Sequence, residues 1–449
     1  MIRIKTMRHL PALVLLVLTG QWCFAQIPEP VNTEIKTRVD NGVYPSVVLG
    51  LWENGKAMYF TYGFKNTERR EKADKNTLYE TGSVTKTYTT LLLAKYVSEG
   101  KLSLDFPADT LLPDTIKLRD KKGTPITLKH LATHTSGMPR LPGNMNPPAA
   151  ENPYKTYDRK ALFSFLKHYE PTYIGTRFFY SNLGMGLLGE LLAYHEKTAY
   201  GTLLKKNVLA PLNLEHTYVH IPVEQEMYRA TGYRNTTAVS PWDFKALAGA
   251  GAVKANIGDL LHYGVSYLAP ENPLKKAAAL SLKTHYTDRF SKKHGLAWNY
   301  EGSIAFHDGA TGGFRSFLAI NPEKKRVVAI MTNSGINPVD DLAMYLASPE
   351  SRQFFITPAV KEISTEKLRA YTGHFENNGA GLDMEIATRN NQLYARIKGQ
   401  SEFPLYYTGK HQFFYKNILA VLQFETDEYD TVVGVLLRQN GQEILLIKD

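Results

Sequence analysis

Cysteine is almost absent from this chain: Cys23 is the only one in 449 residues. It lies in a leader-like stretch, so a chain cut after Ala25 holds none. That excludes a disulfide framework, a thiol nucleophile and a cysteine-ligated metal site. Dense basic runs are also missing. No Lys/Arg run exceeds a few residues and no nucleic-acid motif is present, which removes nucleic acid as a partner. His130 and His134 have no partners at a metal-ligand spacing such as HExxH, so neither a metal nor another cofactor is expected, and both histidines read as structural.

What the N-terminus does hold is a secretory pattern. Arg3, Lys5 and Arg8 precede an apolar core from Leu10 to Leu18, too short to span a bilayer, and Cys23-Phe-Ala25 puts small residues at the −3 and −1 positions of a cut. Residues 1–25 are therefore expected to be a signal peptide, which makes the protein exported, periplasmic or secreted, with no membrane span after cleavage. Trp22 precedes Cys23 where a lipid-modified cysteine follows a small residue, which argues against lipoprotein anchoring. The net charge of +10 falls to +7 without the leader. It divides into +9 over residues 26–357 and −2 over 358–449. The bland reading is solubility. The sharper one is mild attraction for carboxylate-bearing small molecules or peptides.

Along the chain, Val47–Trp52 and Lys56–Gly63 read as strands joined by an Asn54-Gly55 hairpin turn. Helices are expected after Ser83, from Thr127 through His134, over Arg159–Tyr169, over Leu183–Tyr194, and from an Asn256 cap through Tyr267. Five prolines between Pro139 and Pro153 mark an exposed loop that borders a cleft. Strands return at Ser316–Asn321 and Val327–Thr332. Strands at both ends with helices between them predict an α+β, α/β-sandwich fold: one antiparallel sheet flanked by helices, with an inserted helical region. Composition changes near Ser348. Short runs such as Met384–Thr388, Leu393–Ile397 and Val432–Leu437, separated by turns such as Arg389-Asn-Asn and Gln439-Asn-Gly441, predict a small all-β barrel or meander. The expected domains are 26–355 and 360–449.

The densest chemical signal is Ser83-Val-Thr-Lys86. On a helix, residues i and i+3 share a face, so a hydroxyl and an amine meet there. Burial and nearby cations turn such a lysine into a base. Gly82 permits a tight entry and Gly100 a stop. Taken alone, Ser83 equally well caps a helix. Two further motifs follow in order, Tyr180-Ser-Asn182 and His307-Asp-Gly309.

SxxK, YxN and HxG in that order resemble the class C β-lactamase and penicillin-binding protein family. Tyr62-Gly-Phe64, Thr77–Lys86 and Leu128–Pro139 extend the resemblance, which runs from about Tyr44 to Ser334. Tyr371-Thr-Gly-His-Phe-Glu376 resembles the opening strand of the lipocalin-like domains that often follow it. There a module that shields the catalytic domain is weighed above a ligand-binding barrel. The family resemblance implies Ser83 as nucleophile, Lys86 and Tyr180 sharing the base role, and Asn182 holding Lys86 and the substrate amide. His307 and Gly309 would line the substrate, and the N–H groups of Ser83 and Ala310 would form the oxyanion hole. Histidine at 307 departs from the lysine that many members carry. It is only partly charged at neutral pH, which favours peptidase or esterase relatives over β-lactamases.

The function expected is an exported serine hydrolase forming an acyl-enzyme on amide, D-amino-acid peptide, ester or β-lactam substrates. The alternative is a catalytically inactive binding or sensing protein on the same fold. The intact Ser83, Lys86, Tyr180 and Asn182 set argues against it.

Overall fold

The structure, a computed structural model, describes residues 26–145, 152–416, 418–439 and 442–449. The leader 1–25, part of the proline-rich loop and the tip of the Gln439–Gly441 turn lie outside these residues. Ser46–Glu53 pairs antiparallel with Lys56–Asn66 through a two-residue turn, in which Asn54 and Gly55 both have positive φ (51° and 82°). This is the backbone that Asn-Gly favours, because its twist matches that of the flanking strands. On its other edge, Ser46–Glu53 pairs with Arg326–Thr332, which pairs in turn with Arg315–Asn321, and that strand with Ile304–Ala310. Short strands extend both edges to nine in total.

Both faces of the sheet are buried, as the uninterrupted apolar runs of its central strands require. Val47, Leu49 and Leu51 face one way, against Val31 and Ile35 of the Glu29–Asp40 helix and Leu342 and Leu346 of the Asp340–Ala347 helix. Val48, Leu318, Val327 and Ala329 face the other way, against Leu260, Leu261 and Tyr263 of the Ile257–Ser266 helix. At Gly264 on that helix, an added Cβ would stand 2.6 Å from Val327, so helix and sheet approach closely there.

The inserted region carries the Thr85–Ser98 and Asn182–His195 helices. Expected helices appear with shifted ends. The Arg159 helix stops at Leu166, and the Asn256 cap accepts from Asp259 N (2.8 Å) to open Ile257–Ser266. One expectation needs correction. The helix that Thr127 and His130 cap at its start ends at Ala132, and His134 lies beyond it at φ 58°, a left-handed backbone that cannot continue a helix. Ser181 caps the Asn182–His195 helix: its Oγ accepts from Gly184 N at 2.8 Å.

Eight antiparallel strands from Gly373 to Lys448 close into a barrel, the last pairing with the first at Phe375–Lys448 and Glu376–Ile447. The barrel alternative to a meander is the one observed. Asn390 and Asn391, both at positive φ, form the turn expected after Arg389. Phe375, Phe413, Phe424 and Tyr371 pack edge to face inside. The cavity lined by Phe403, Tyr415 and Ile418 holds only about 40 Å³.

A buried charge cluster ties the ends of the first domain together. Arg38 is fully buried. It donates to Glu34 (2.7 Å), to both oxygens of Asp341 (3.0 and 2.5 Å) and to the Phe355 carbonyl (2.6 Å). Glu34 in turn accepts from Thr357 N and Oγ1. Removing one member of such a cluster strands the others. Arg38→Ala is expected to lower unfolding stability by about 3–5 kcal/mol, read as an earlier urea midpoint for the first transition. An unchanged midpoint would contradict this assignment.

Candidate active site

Gly82–Val84 forms a single 3₁₀ turn that leads into the Thr85–Ser98 helix and places Ser83 at its mouth, half-buried. Gly82 sits at φ 49°, and an added Cβ would lie 2.7 Å from the Ala310 nitrogen. No side chain is tolerated there on either count. Gly309 is as crowded: its Cβ would stand 2.1 Å from the Thr81 carbonyl oxygen and 2.3 Å from Ser316 Oγ. Ser316 Oγ donates to that same carbonyl at 2.7 Å, and Thr81 N donates to Val253 O at 2.9 Å. The nucleophile's turn is thus pressed against the end of the Ile304–Ala310 strand. The Gly82 backbone, which leads into Ser83, thus lies directly against Ala310.

Lys86 is fully buried, one helical turn from Ser83. Its Nζ lies 2.8 Å from Ser83 Oγ and donates to the Ala250 carbonyl at 2.7 Å. Burial, helped by the Arg140 guanidinium, holds the amine well below the usual lysine range. The Tyr180 ring lies 4.9 Å from Nζ, and the Ser83 side chain is close enough to act on its hydroxyl. Burial pushes this phenol above its ordinary value, Asp308 adds to the shift, and Ser83 and Arg140 oppose it. Two neighbouring titratable groups are driven apart: an amine that loses its proton easily and a phenol that keeps one.

Ser83, Lys86 and Tyr180 therefore converge as the sequence predicts. Asn182 and His307 stand differently from the expectation. Asn182 does not bond Lys86, whose donors go to Ser83 and Ala250. Its Nδ2 donates to Tyr154 Oη (3.0 Å), and its Oδ1 has no partner among the described residues. Tyr154 is itself stacked on Phe244 at 4.4 Å. His307 is buried, 1% exposed, and its Nδ1–H donates to the Asp308 carbonyl at 2.6 Å. Burial, with Lys86 acting the same way, lowers its pKa to about 4 against the opposing pull of Asp308. It is neutral at pH 7 and supplies no charge to a ligand.

Sequence reasoning missed Ala250, Tyr154 and Arg140. Ala250 acts through its backbone, which leaves no side-chain signal. Tyr154 and Arg140 sit in or beside the proline-rich loop, where no periodicity marks them. His134, read as structural, has a positioning part: its Nδ1 accepts from Ser181 N (3.1 Å), and its ring packs 4.5 Å from the Tyr180 ring. Among the described residues no group of three His, Cys, Asp or Glu is placed to hold a metal.

The β-lactamase family model matches residues 31–348, and a domain of unknown function (DUF3471) matches 357–446. A β-lactamase of Pseudomonas fluorescens is 30% identical over 382 residues, covering 82% of this chain and 97% of its own length. A penicillin-binding protein homologue from Pyrococcus abyssi shares the fold with a TM-score of 0.67 at 23% identity, covering 93% of this chain and 99% of that one. A class C β-lactamase from Rhodobacter sphaeroides gives a TM-score of 0.61 at 21% identity, over 72% of this chain and 98% of its own.

If the crowding at Gly309 holds the two N–H groups in register, Gly309→Ala must displace Ala310. Labelling of Ser83 by a fluorophosphonate is then expected to slow by about 10²-fold or more, the usual effect of losing one oxyanion donor. Intact-mass time courses measure it, and wild-type labelling in the variant would refute the geometry.

Proposed function

We propose that this chain, a serine hydrolase of the β-lactamase family, forms an acyl-enzyme on small amide, D-amino-acid peptide, ester or β-lactam substrates outside the cytoplasm. The observation that carries the reading is the buried Lys86 amine 2.8 Å from Ser83 Oγ. The leader pattern of residues 1–25 supports the compartment.

The chemistry follows from the two opposed pKa shifts. Ser83 Oγ attacks the substrate carbonyl while the neutral Lys86 amine takes its proton. The N–H groups of Ser83 and Ala310 hold the oxyanion, each contributing roughly 3 kcal/mol. As the tetrahedral intermediate collapses, Tyr180 Oη gives its proton to the leaving nitrogen or oxygen, and the Lys86 ammonium restores the phenol. In the second half a water loses its proton to the same pair and attacks the acyl carbonyl. Ser83 leaves with a proton, and the resting state returns. Asn182 Oδ1 is the acceptor available for a substrate amide N–H. A neutral His307 supports ester and peptide substrates over acids anchored from that strand.

Because burial lowers the Lys86 pKa, its base form persists below the ordinary lysine range and is lost as pH falls through that lowered value. The kcat/KM profile for a neutral p-nitrophenyl ester is expected to reach its plateau below the pH at which an ordinary lysine loses its proton, and to fall on acidification. Lys86→Ala should cost about 10³-fold or more across the range. A profile that climbs steadily towards pH 10 would assign the base to an ordinary lysine.

The decisive test adds a fluorophosphonate and, separately, a fluorescent penicillin to the mature chain, beside Ser83→Ala, and follows intact mass with time. Adducts are expected in wild type and not in Ser83→Ala. A penicillin adduct that persists marks penicillin-binding or D-alanyl peptidase behaviour, and one that forms and clears marks β-lactam turnover. A fluorophosphonate adduct alone marks an esterase or aminopeptidase. No adduct with either reagent overturns the hydrolase reading in favour of a binding protein.

A further inference from the structure

Of the phenylalanines among the described residues, only Phe179 and Phe290 are exposed, and both line one cleft of about 440 Å³. Phe290, 67% exposed, stands in the turn that joins Tyr286–Thr287 to Lys293–His294, the last two strands at one edge of the nine-stranded sheet. Phe179 belongs to the segment that runs into Tyr180. That segment is tied to the hairpin by Tyr286 Oη, which donates to the Thr176 carbonyl (3.2 Å), and by Phe178, which stacks on His294 at 4.2 Å. A third exposed aromatic, Tyr173, has its ring 6.2 Å from that of Phe179 and sits at φ 59°, a left-handed backbone that bulky residues seldom adopt. Cations surround these rings. Arg177 lies over Tyr173 at 4.2 Å and Arg289 over Phe290 at 4.6 Å, and Lys292 and Lys293 follow in the hairpin. All four are exposed, and none is ion-paired among the described residues. The acid of the turn, Asp288, is used within it. Its Oδ1 accepts from Phe290 N (2.8 Å) and Lys292 N (2.9 Å), and its Oδ2 lies 3.6 Å from His294 Nε2. The turn is thereby held in one shape with its aromatic ring and its cations outward.

We propose that this face is a membrane-docking surface whose partner is the headgroup layer of an anionic phospholipid bilayer. Exposed aromatic rings set among Lys and Arg have the composition of an interfacial anchor: the rings enter the boundary between headgroups and acyl chains while the cations meet lipid phosphates. A protein partner fits less well, because lysine is depleted in protein interfaces. A hydrated polyanion would use the cations and gain nothing from Phe290. The wider charge agrees, since Lys129 and Lys283 both act on His285, just before the hairpin. Among the described residues no helix is long and apolar enough to cross a membrane, so attachment here is peripheral and reversible. The inference does not depend on the hydrolase reading. It adds to that reading an orientation: Phe179 is followed directly by Tyr180, so docking would hold the segment that carries the catalytic phenol beside the lipid surface.

The test is co-sedimentation of the full-length mature chain with two kinds of vesicle, phosphatidylcholine alone and phosphatidylcholine mixed with phosphatidylglycerol. Wild type is compared with Phe290→Ser, with the pair Lys292→Glu/Lys293→Glu, and with a control pair, Lys72→Glu/Lys75→Glu, exposed at the opposite edge of the sheet. Wild type is expected to bind the mixed vesicles, and Phe290→Ser and the Lys292/Lys293 pair to bind them at least about ten-fold more weakly. The control pair should stay close to wild type, and pure phosphatidylcholine should bind wild type as weakly as the mixed vesicles bind the variants. In Phe290→Trp, emission should shift to the blue on the mixed vesicles and be quenched by lipids brominated on their acyl chains. Three results overturn the proposal: no binding by wild type, an equal loss in the control pair, or wild-type binding by Phe290→Ser, which would leave a purely electrostatic patch suited to a soluble polyanion. Thermal midpoints show whether a variant has lost its fold. If Phe290→Ser has, the tryptophan readout decides, and emission that is neither shifted nor quenched sinks the idea. Failure of the hydrolase reading shows separately, because Ser83→Ala should dock as wild type does.

Discussion

The contact between the Thr81–Ser83 turn and the Gly309–Ala310 strand end is the constraint on which the active site depends. Two backbones meet there with no room for a Cβ on either Gly82 or Gly309. Thr81 is held from two further directions, by Ser316 Oγ and by the Val253 backbone. The same stretch of chain that supplies Val253 supplies the Ala250 carbonyl that steadies Lys86. Ser83, Lys86 and the Ala310 backbone are thereby referred to one rigid junction of sheet and helical region. Catalytic groups held this way need no reorganisation when charge develops, which is where electrostatic catalysis gains most.

Around that junction the molecule arranges titratable groups by burial more than by pairing. Lys86 and His307 lose affinity for protons and Tyr180 gains it, and in each the largest cause is removal from water. The contrast is with Arg38, equally buried, which is surrounded by Glu34 and Asp341 and keeps its charge. A compensated cation serves to join the Glu29–Asp40 helix to the far end of its domain. An uncompensated amine, Lys86, is instead left with a lowered proton affinity, as a base requires. The same physical cost of burying a charge is offset in one case and used in the other.

The sheet and the catalytic trio were legible because their signals are local. Asn54-Gly55 specifies its own turn, alternating apolar residues specify strands, and a three-residue interval on a helix puts Ser83 beside Lys86 whatever surrounds them. What escaped the sequence depends on distant partners. That Asn182 turns to Tyr154 and not to Lys86 follows from the arrival of the Ala250 carbonyl, some 70 residues later in the chain. That His307 is neutral follows from burial, which the motif alone does not disclose. Arg140 shows no pattern in sequence and becomes visible only when its loop folds over Tyr180. The helix after Thr127 is shorter than its pattern suggests because His134 takes a left-handed backbone, which nothing local in the sequence marks.

The central strand pairing carries a consequence for how the chain acquires its shape. Ser46–Glu53 lies beside Arg326–Thr332, so the middle of the sheet joins segments separated by about 280 residues. Such a pairing must close a very large loop before it returns any free energy, and topologies of this kind fold slowly. The barrel is the opposite case: its strands pair with their neighbours in sequence, and only the final seam, Phe375 to Lys448, spans its length. A chain emerging from its N-terminus has to keep its first strand unpaired while some 270 further residues appear. The part made last, by contrast, has almost all its contacts at hand as soon as it is made.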